Sequence, residues 1–142
     1  MATTLFEKIV HGDVPSHRVA HGEGWYAFLD IFPRRAGHTL VVPTRGVQRL
    51  GDLTAEERSG LMDGVCEVQQ RLGRHFATTD FTVCLHDGPL AGQEVPHVHF
   101  HVIPRTDGDG GGTLMSMWPS TGQSEPDHAG LATLATALQD VN

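Results

Sequence analysis

The sequence predicts an α+β domain: an antiparallel five-stranded meander sheet with one long helix and short terminal helices. Three observations lead there. Thr54 with Glu57 three residues on is a capping box, and Leu61, Val65, Val68 and Leu72 follow at helical spacing, so 54–75 is the main helix. The remaining apolar runs are short and bounded by turn residues, and strand and helix do not alternate repeatedly, which argues against a doubly wound parallel sheet. In His97-Val98-His99-Phe100-His101-Val102-Ile103, between Pro96 and Pro104, imidazoles and apolar residues alternate with the two-residue period of a strand.

In chain order, residues 4–11 are expected to form a short helix with Leu5, Phe6, Ile9 and Val10 on its apolar side. His17–Ala20 and Trp25–Leu29 read as strands joined by a His21-Gly22-Glu23-Gly24 turn. Thr39-Leu40-Val41-Val42 is a third strand, stopped by Pro43, and after the long helix Phe81–Leu85 is a fourth and the histidine run a fifth. Asp107–Gly112 is a loop and no P-loop, because no Gly-Lys-Ser/Thr follows and the segment opens no helix. Asp127 caps a last helix over 126–141 carrying Leu131, Leu134 and Leu138. The reading is one domain over 1–142, with its core at about 5–110 and a loop and tail over 107–125.

With 142 residues, 39% of them hydrophobic, the chain fills one core but not two. Met1–Lys8 lacks a basic segment followed by an apolar one, and the longest apolar runs span only a few residues. Neither a signal peptide nor a membrane span is expected, and the location implied is cytoplasmic. Cys66 in the helix and Cys84 in a strand stand among apolar neighbours, which predicts buried, reduced thiols. Seventeen acidic against ten basic side chains, a net charge of −7, repel polyanions, so neither nucleic acid nor a membrane surface is an expected partner. A small anionic ligand remains open, since it needs only a local site of amides or imidazoles.

On a strand, His97, His99 and His101 line one face as a ridge, with Val98, Phe100 and Val102 behind it. As a metal site the ridge is incomplete: the outer two lie about 13 Å apart at ~3.3 Å per residue, too far to share one tetrahedral ion. Two histidines completed from elsewhere, or three structural imidazoles, remain alternatives. The third possibility is nucleophilic catalysis at phosphorus, where a neutral imidazole attacks when its other nitrogen is held by an acceptor. The middle residue, His99, is then the natural nucleophile.

At this motif the chain resembles the histidine triad superfamily of nucleotide hydrolases and transferases. Its signature, three histidines alternating with apolar residues, is matched in full over 97–103, with Ala91-Gly92-Gln93 upstream and Ile103-Pro104-Arg105 at its end. The early segments Leu5–Ile9 and Phe28–Ile31 look like the phosphoramidase branch, and Gly37–Pro43 and Asp87–Pro89 look nearer to the fragile-histidine-triad branch, which cleaves dinucleoside polyphosphates. The resemblance implies a homodimer with two nucleotide pockets and no cofactor. It implies attack by His99 on the α-phosphate, a nucleotidyl-histidine intermediate and release of a nucleoside monophosphate. His97 and His101 would orient His99 and contact the phosphate, His38 would support them, and Gly92 and Gln93 would supply backbone donors. Asp30 and Ile31 would hold the ribose and the base.

Two positions depart from that pattern. His86 stands where the branches carry Asn or Gln, and Glu94 where a hydroxyl residue is usual; both are substrate-site candidates, and a protonated His86 paired with Glu94 would let the changes compensate. Relatives with a structural zinc hold it with two cysteines, a histidine and the first triad histidine, whereas this chain has Thr4, Glu7 and Gly46 at the first three positions, so no metal is expected. The alternative function is a non-catalytic sensor that binds a nucleoside monophosphate, and a metal-binding module is third. Arg34 and Arg35 steer an anion or form a solvated turn, Met115, Met117 and Trp118 fold over the site or anchor the tail, and His11, His17, His21, His75 and His128 carry no motif.

Overall fold

The computed structural model describes residues 3–117, 122 and 124–139 and divides the chain into two compact units between Gly111 and Gly112. The first unit runs α1 (Leu5–Val10), β1 (Arg18–Gly22), β2 (Trp25–Leu29), β3 (Thr39–Pro43), α2 (Ala55–Phe76), β4 (Asp80–Leu85) and β5 (Phe100–Arg105). The second contains a 3-10 turn at Leu114–Ser116 and α3 (His128–Gln139), where Asp127 Oδ1 accepts the Gly130 N–H at 3.0 Å. Trp118 lies outside the described residues. Among those described, no helix is long and apolar enough to cross a membrane.

Both helices of the first unit start on a capping box. Thr54 Oγ1 accepts the Glu57 N–H at 3.1 Å and Glu57 returns a carboxylate oxygen to the Thr54 N–H at 2.8 Å. Thr4 and Glu7 make the same exchange at the head of α1, at 3.0 and 3.1 Å.

The sheet is antiparallel throughout, in the order β1-β2-β3-β5-β4. A simple meander holds through β3; α2 then carries the chain to the far edge, and β5 returns inward between β4 and β3. That return makes β5 an interior strand, flanked by β3 and β4. Alternation then sorts the side chains. Ala27, Val41 and Val102 face the α2 stripe of Leu61, Val65, Val68 and Leu72, whereas Phe28, Leu40 and Val42 face Phe6 and Ile9 of α1. β3 is buried at all five positions because both its faces are covered. Gly64 lets α2 lie this close, for a Cβ there would stand 2.6 Å from Trp25 Cδ2.

Three expectations are corrected. The fifth strand begins at Phe100, so His97 and His99 precede it: the His97 N–H bonds Val95 O at 2.8 Å and the Val98 N–H bonds Val47 O at 2.8 Å, outside any ladder. Pro104 lies inside β5 without bounding it. β3 pairs only with Phe100–Val102, so Pro104 has a sheet partner on one side alone, Phe81 of β4, and its missing N–H costs no ladder bond to β3. Cys66 is exposed, one step round the helix from buried Val65, and Cys84 is half-buried; both are free thiols.

Candidate active site

The α1 face of the sheet holds a cavity of about 550 Å³. Register explains what lines it. Leu40 pairs with His101 and Cys84 pairs with His101 from the other side, so His38 and His86, each two residues along, share that face. Asp30, Ile31, His38, His86, Gly92, Glu94, His99 and His101 all line the cavity. Leu5, Phe6 and Ile9 of α1 form its apolar wall.

His97 and Gln93 do not line it. His97 is fully buried behind His99, so the expected contact with phosphate is not available to its ring. The Gln93 side chain turns inward, its amide N–H donating to Gln48 O at 2.8 Å. The backbone donors expected at 92 and 93 are also engaged, the Gly92 N–H with Pro89 O at 3.0 Å and the Gln93 N–H with Gly88 O at 3.2 Å, because the chain closes a 3-10 turn there. His86 and Glu94 share the cavity but make no ion pair, so the expected compensation by pairing is absent among the described residues.

The hydrogen-bond partners fix the tautomers of the neutral rings. His99 Nδ1 lies 2.8 Å from the carbonyl oxygen of His97, which only accepts, so Nδ1 carries the proton and Nε2 the lone pair. His38 Nδ1 accepts the Arg34 backbone N–H at 3.1 Å, so its proton is on Nε2 and is donated to His101 Nδ1 at 2.9 Å. His101 therefore carries its own proton on Nε2, a buried atom with no hydrogen-bond partner among the described residues. The His99 and His101 rings stand 5.1 Å apart, centre to centre. A lone pair and a proton donor thus sit side by side in one cavity.

Burial keeps these rings neutral. It is the first cause lowering His38, His97 and His99 below the ordinary value of 6.5, and with repulsion from His99, His38 and His86 it takes His101 down to about 4. Asp30 opposes the shift on His38, its Oδ2 lying 3.6 Å from His38 Nε2, while its Oδ1 accepts the Phe32 N–H at 2.9 Å.

Asp30, His38 and His101 bring three possible ligand atoms within 4.8 Å of one another. His38 Nε2 and His101 Nδ1 stand 2.9 Å apart and share a proton that a cation would have to displace. Thr4, Glu7, Gly46 and His97 converge elsewhere. Their chemistry is a hydroxyl bonded to His97 Nδ1 at 2.7 Å, a carboxylate in the helix cap, and a glycine where any Cβ would strike the Glu7 carboxylate. That set is poor in metal ligands. The Thr4 contact with His97 is a feature of the site that sequence reasoning missed; the Thr4-x-x-Glu7 pattern marks the helix cap, as at Thr54, but carries no sign of the histidine 93 residues on.

A lone-pair imidazole stands beside a proton-bearing imidazole in a pocket large enough for a small ligand, an arrangement chemically able to offer a nucleophile and a hydrogen-bond donor to one bound group. The HIT domain model matches residues 11–108, and the chain belongs to the HIT domain family, as the triad resemblance implies. The adenosine 5'-monophosphoramidase of Saccharomyces cerevisiae is 34% identical over 119 residues, 84% of this chain and 72% of that one. The asymmetrical bis(5'-nucleosyl)-tetraphosphatase of Schizosaccharomyces pombe is 45% identical over 83 residues, 58% of this chain and just 46% of that protein. A solved HIT family structure from Bacillus subtilis superposes with a TM-score of 0.82 at 28% identity, covering 99% of each chain. At the level of the family, the two named enzymes are nucleotide hydrolases.

Proposed function

We propose that the protein hydrolyses a nucleotide at its α-phosphate through a nucleotidyl-histidine intermediate on His99. The observation that carries the reading is the 2.8 Å bond from His99 Nδ1–H to the His97 carbonyl, which leaves the Nε2 lone pair for attack. In the first step His99 Nε2 bonds to phosphorus and the bond to the leaving group breaks; neutral His101 donates a hydrogen bond from Nε2 to the leaving atom and keeps its proton, and the leaving group takes its proton from water. In the second, water attacks phosphorus, the P–N bond breaks with its electron pair returning to His99 Nε2, and the attacking water's proton passes to solvent. His38 keeps the His101 proton on the correct nitrogen. Asp30 accepts from the ribose hydroxyls, and Ile31, which is 70% exposed at the rim, covers the base.

Within this class the cavity's charge favours a phosphoramidate over a dinucleoside polyphosphate. Two carboxylates, Asp30 and Glu94, face one guanidinium, Arg34, and no lysine lines the wall, a poor setting for a polyphosphate leaving group. The same reading takes the working form as a cytoplasmic homodimer.

The test is AMP release from adenosine 5'-phosphoramidate at neutral pH by the wild type and by His99→Ala, with mass spectrometry of protein quenched in alkaline denaturant, where a P–N bond survives. Release by the wild type alone, with a nucleotidyl adduct on the protein, is expected. AMP binding without turnover in either would overturn the enzyme reading in favour of the nucleotide sensor.

A further inference from the structure

Helix α1 does more than wall the cavity. The Thr4 hydroxyl has one proton and already accepts the Glu7 N–H at 3.0 Å, and the atom opposite it is His97 Nδ1 at 2.7 Å. His97 Nε2 lies 2.8 Å from the Pro43 carbonyl oxygen, which cannot donate, so Nε2 carries the ring proton and Nδ1 must accept. The hydrogen bond therefore runs from Thr4 to His97. With His97 fully buried, both ring nitrogens are held and the residue is fixed between α1 and the end of β3. Its carbonyl is the group that holds His99 Nδ1–H. Phe6, two residues into α1, sets its edge against both rings, at 5.7 Å from His97 and 5.1 Å from His99.

We infer that Thr4 is a positioning residue for the nucleophile: its hydroxyl holds the His97 ring, and through the His97 carbonyl it orients His99. The inference rests on the reading of His99 as nucleophile. It makes the N-cap of α1 part of the reaction apparatus, 93 residues away in sequence. Because Leu5, Phe6 and Ile9 also line the cavity, a nucleotide seated there braces the helix whose cap aims the attacking nitrogen.

Capping and positioning separate by substitution. Serine keeps both hydrogen bonds, aspartate caps a helix well but has no proton to give His97, and alanine has neither function. The variants Thr4→Ser, Thr4→Asp and Thr4→Ala are compared in the full chain with adenosine 5'-phosphoramidate. For Thr4→Asp, kcat falls on the order of 10- to 100-fold with KM little changed, as expected for a misaimed reacting group. The acid limb of its kcat profile also moves up, because a carboxylate beside His97 favours the imidazolium; Glu7 and His99 are the other ionisable groups acting on that ring. Thr4→Ser rescues kcat, and nitrogen NMR shows the Nε2–H tautomer of His97 in wild type and Thr4→Ser but not in Thr4→Asp.

If kcat simply follows the melting temperature across the variants, with an unmoved acid limb and unchanged His97 tautomer, Thr4 is only a cap and the inference is overturned. Should Thr4→Asp not fold, Thr4→Gly decides the same point, because glycine is tolerated at an N-cap and has no proton to give His97. His99→Ala, run beside them, separates the two levels. Turnover by His99→Ala overturns the nucleophile reading, whereas an inactive His99→Ala with an unaffected Thr4→Asp overturns the positioning role alone.

Discussion

Acidification should destabilise the fold in a window set by the histidine cluster. His38, His97, His99 and His101 all have folded values below 6.5. The unfolded chain therefore takes up protons before the folded one does. Stability is fully present above pH ~6.5 and is lost as pH falls toward the folded values, for His101 about 4. A shift from 6.5 to about 4 corresponds at ~1.4 kcal/mol per unit to about 3.5 kcal/mol for His101 alone. The ring is partly exposed, and screening reduces that to about 1.5–2 kcal/mol. Because the rings titrate as a coupled group, faced also by Asp30, Arg34, His86, Glu94 and Glu7, the four contributions do not simply add. The assay is urea unfolding from pH 7.5 to 4.5 for wild type and His101→Gln. The wild type loses stability through this window, and His101→Gln loses about 1.5–2 kcal/mol less across it. The depressed carboxyl of Glu57, at about 2, loses its contribution mainly below pH ~4.5 and equally in both proteins, so it does not confuse the reading. Equal slopes for the two proteins, or stability that rises on acidification, would refute the reasoning.

Two further substitutions test the site and its frame. Glu94→Gln removes one of two carboxylates from the cavity wall and should raise kcat/KM for a dinucleoside polyphosphate about tenfold while changing a phosphoramidate much less; an equal effect on both would count against charge selection. Gly37→Ala puts a Cβ 2.5 Å from Phe76 Cε2 at a φ of +90°. Thermal unfolding should show a loss of at least ~2 kcal/mol, and a melting temperature unchanged by this variant would disprove the tight fit.

What could be read from the sequence was local. The Thr54 capping box and the Leu61-Val65-Val68-Leu72 stripe are short-range patterns, and α2 begins and ends within one residue of the expectation. The exposure of Cys66 was legible too, since it stands about 100° round the helix from Val65, although its apolar sequence neighbours point the other way. The triad's alternation correctly placed Val98 and Val102 in the core with His99 and His101 on the other face. It could not show that the ladder starts only at Phe100, because this depends on how far β3 extends alongside. The inward turn of Gln93 toward Gln48, the use of the Gly92 and Gln93 amides within their own turn, and the Thr4–His97 bond are likewise set by tertiary contacts.

The same burial that endangers the fold in acid keeps the proposed nucleophile competent. An imidazolium has no lone pair on either nitrogen, so His99 must be neutral to attack, and withdrawal from water is the first cause that lowers its affinity for a proton. Burial alone does not choose the nitrogen, and hydrogen bonds with fixed direction do. Thr4 donates to His97 and the His97 carbonyl accepts from His99, which leaves a lone pair in the cavity; the Arg34 amide donates to His38 and His38 to His101, which leaves a proton beside it. Each tautomer is fixed by a backbone group that cannot reverse: the Arg34 amide, which only donates, sets His38 and through it His101, and the His97 carbonyl, which only accepts, sets His99. Neither tautomer can therefore flip without leaving a buried polar atom unpaired, at a cost of about 1–3 kcal/mol. The site is thus held with opposite protonation on two adjacent histidines by the order of donors and acceptors behind them.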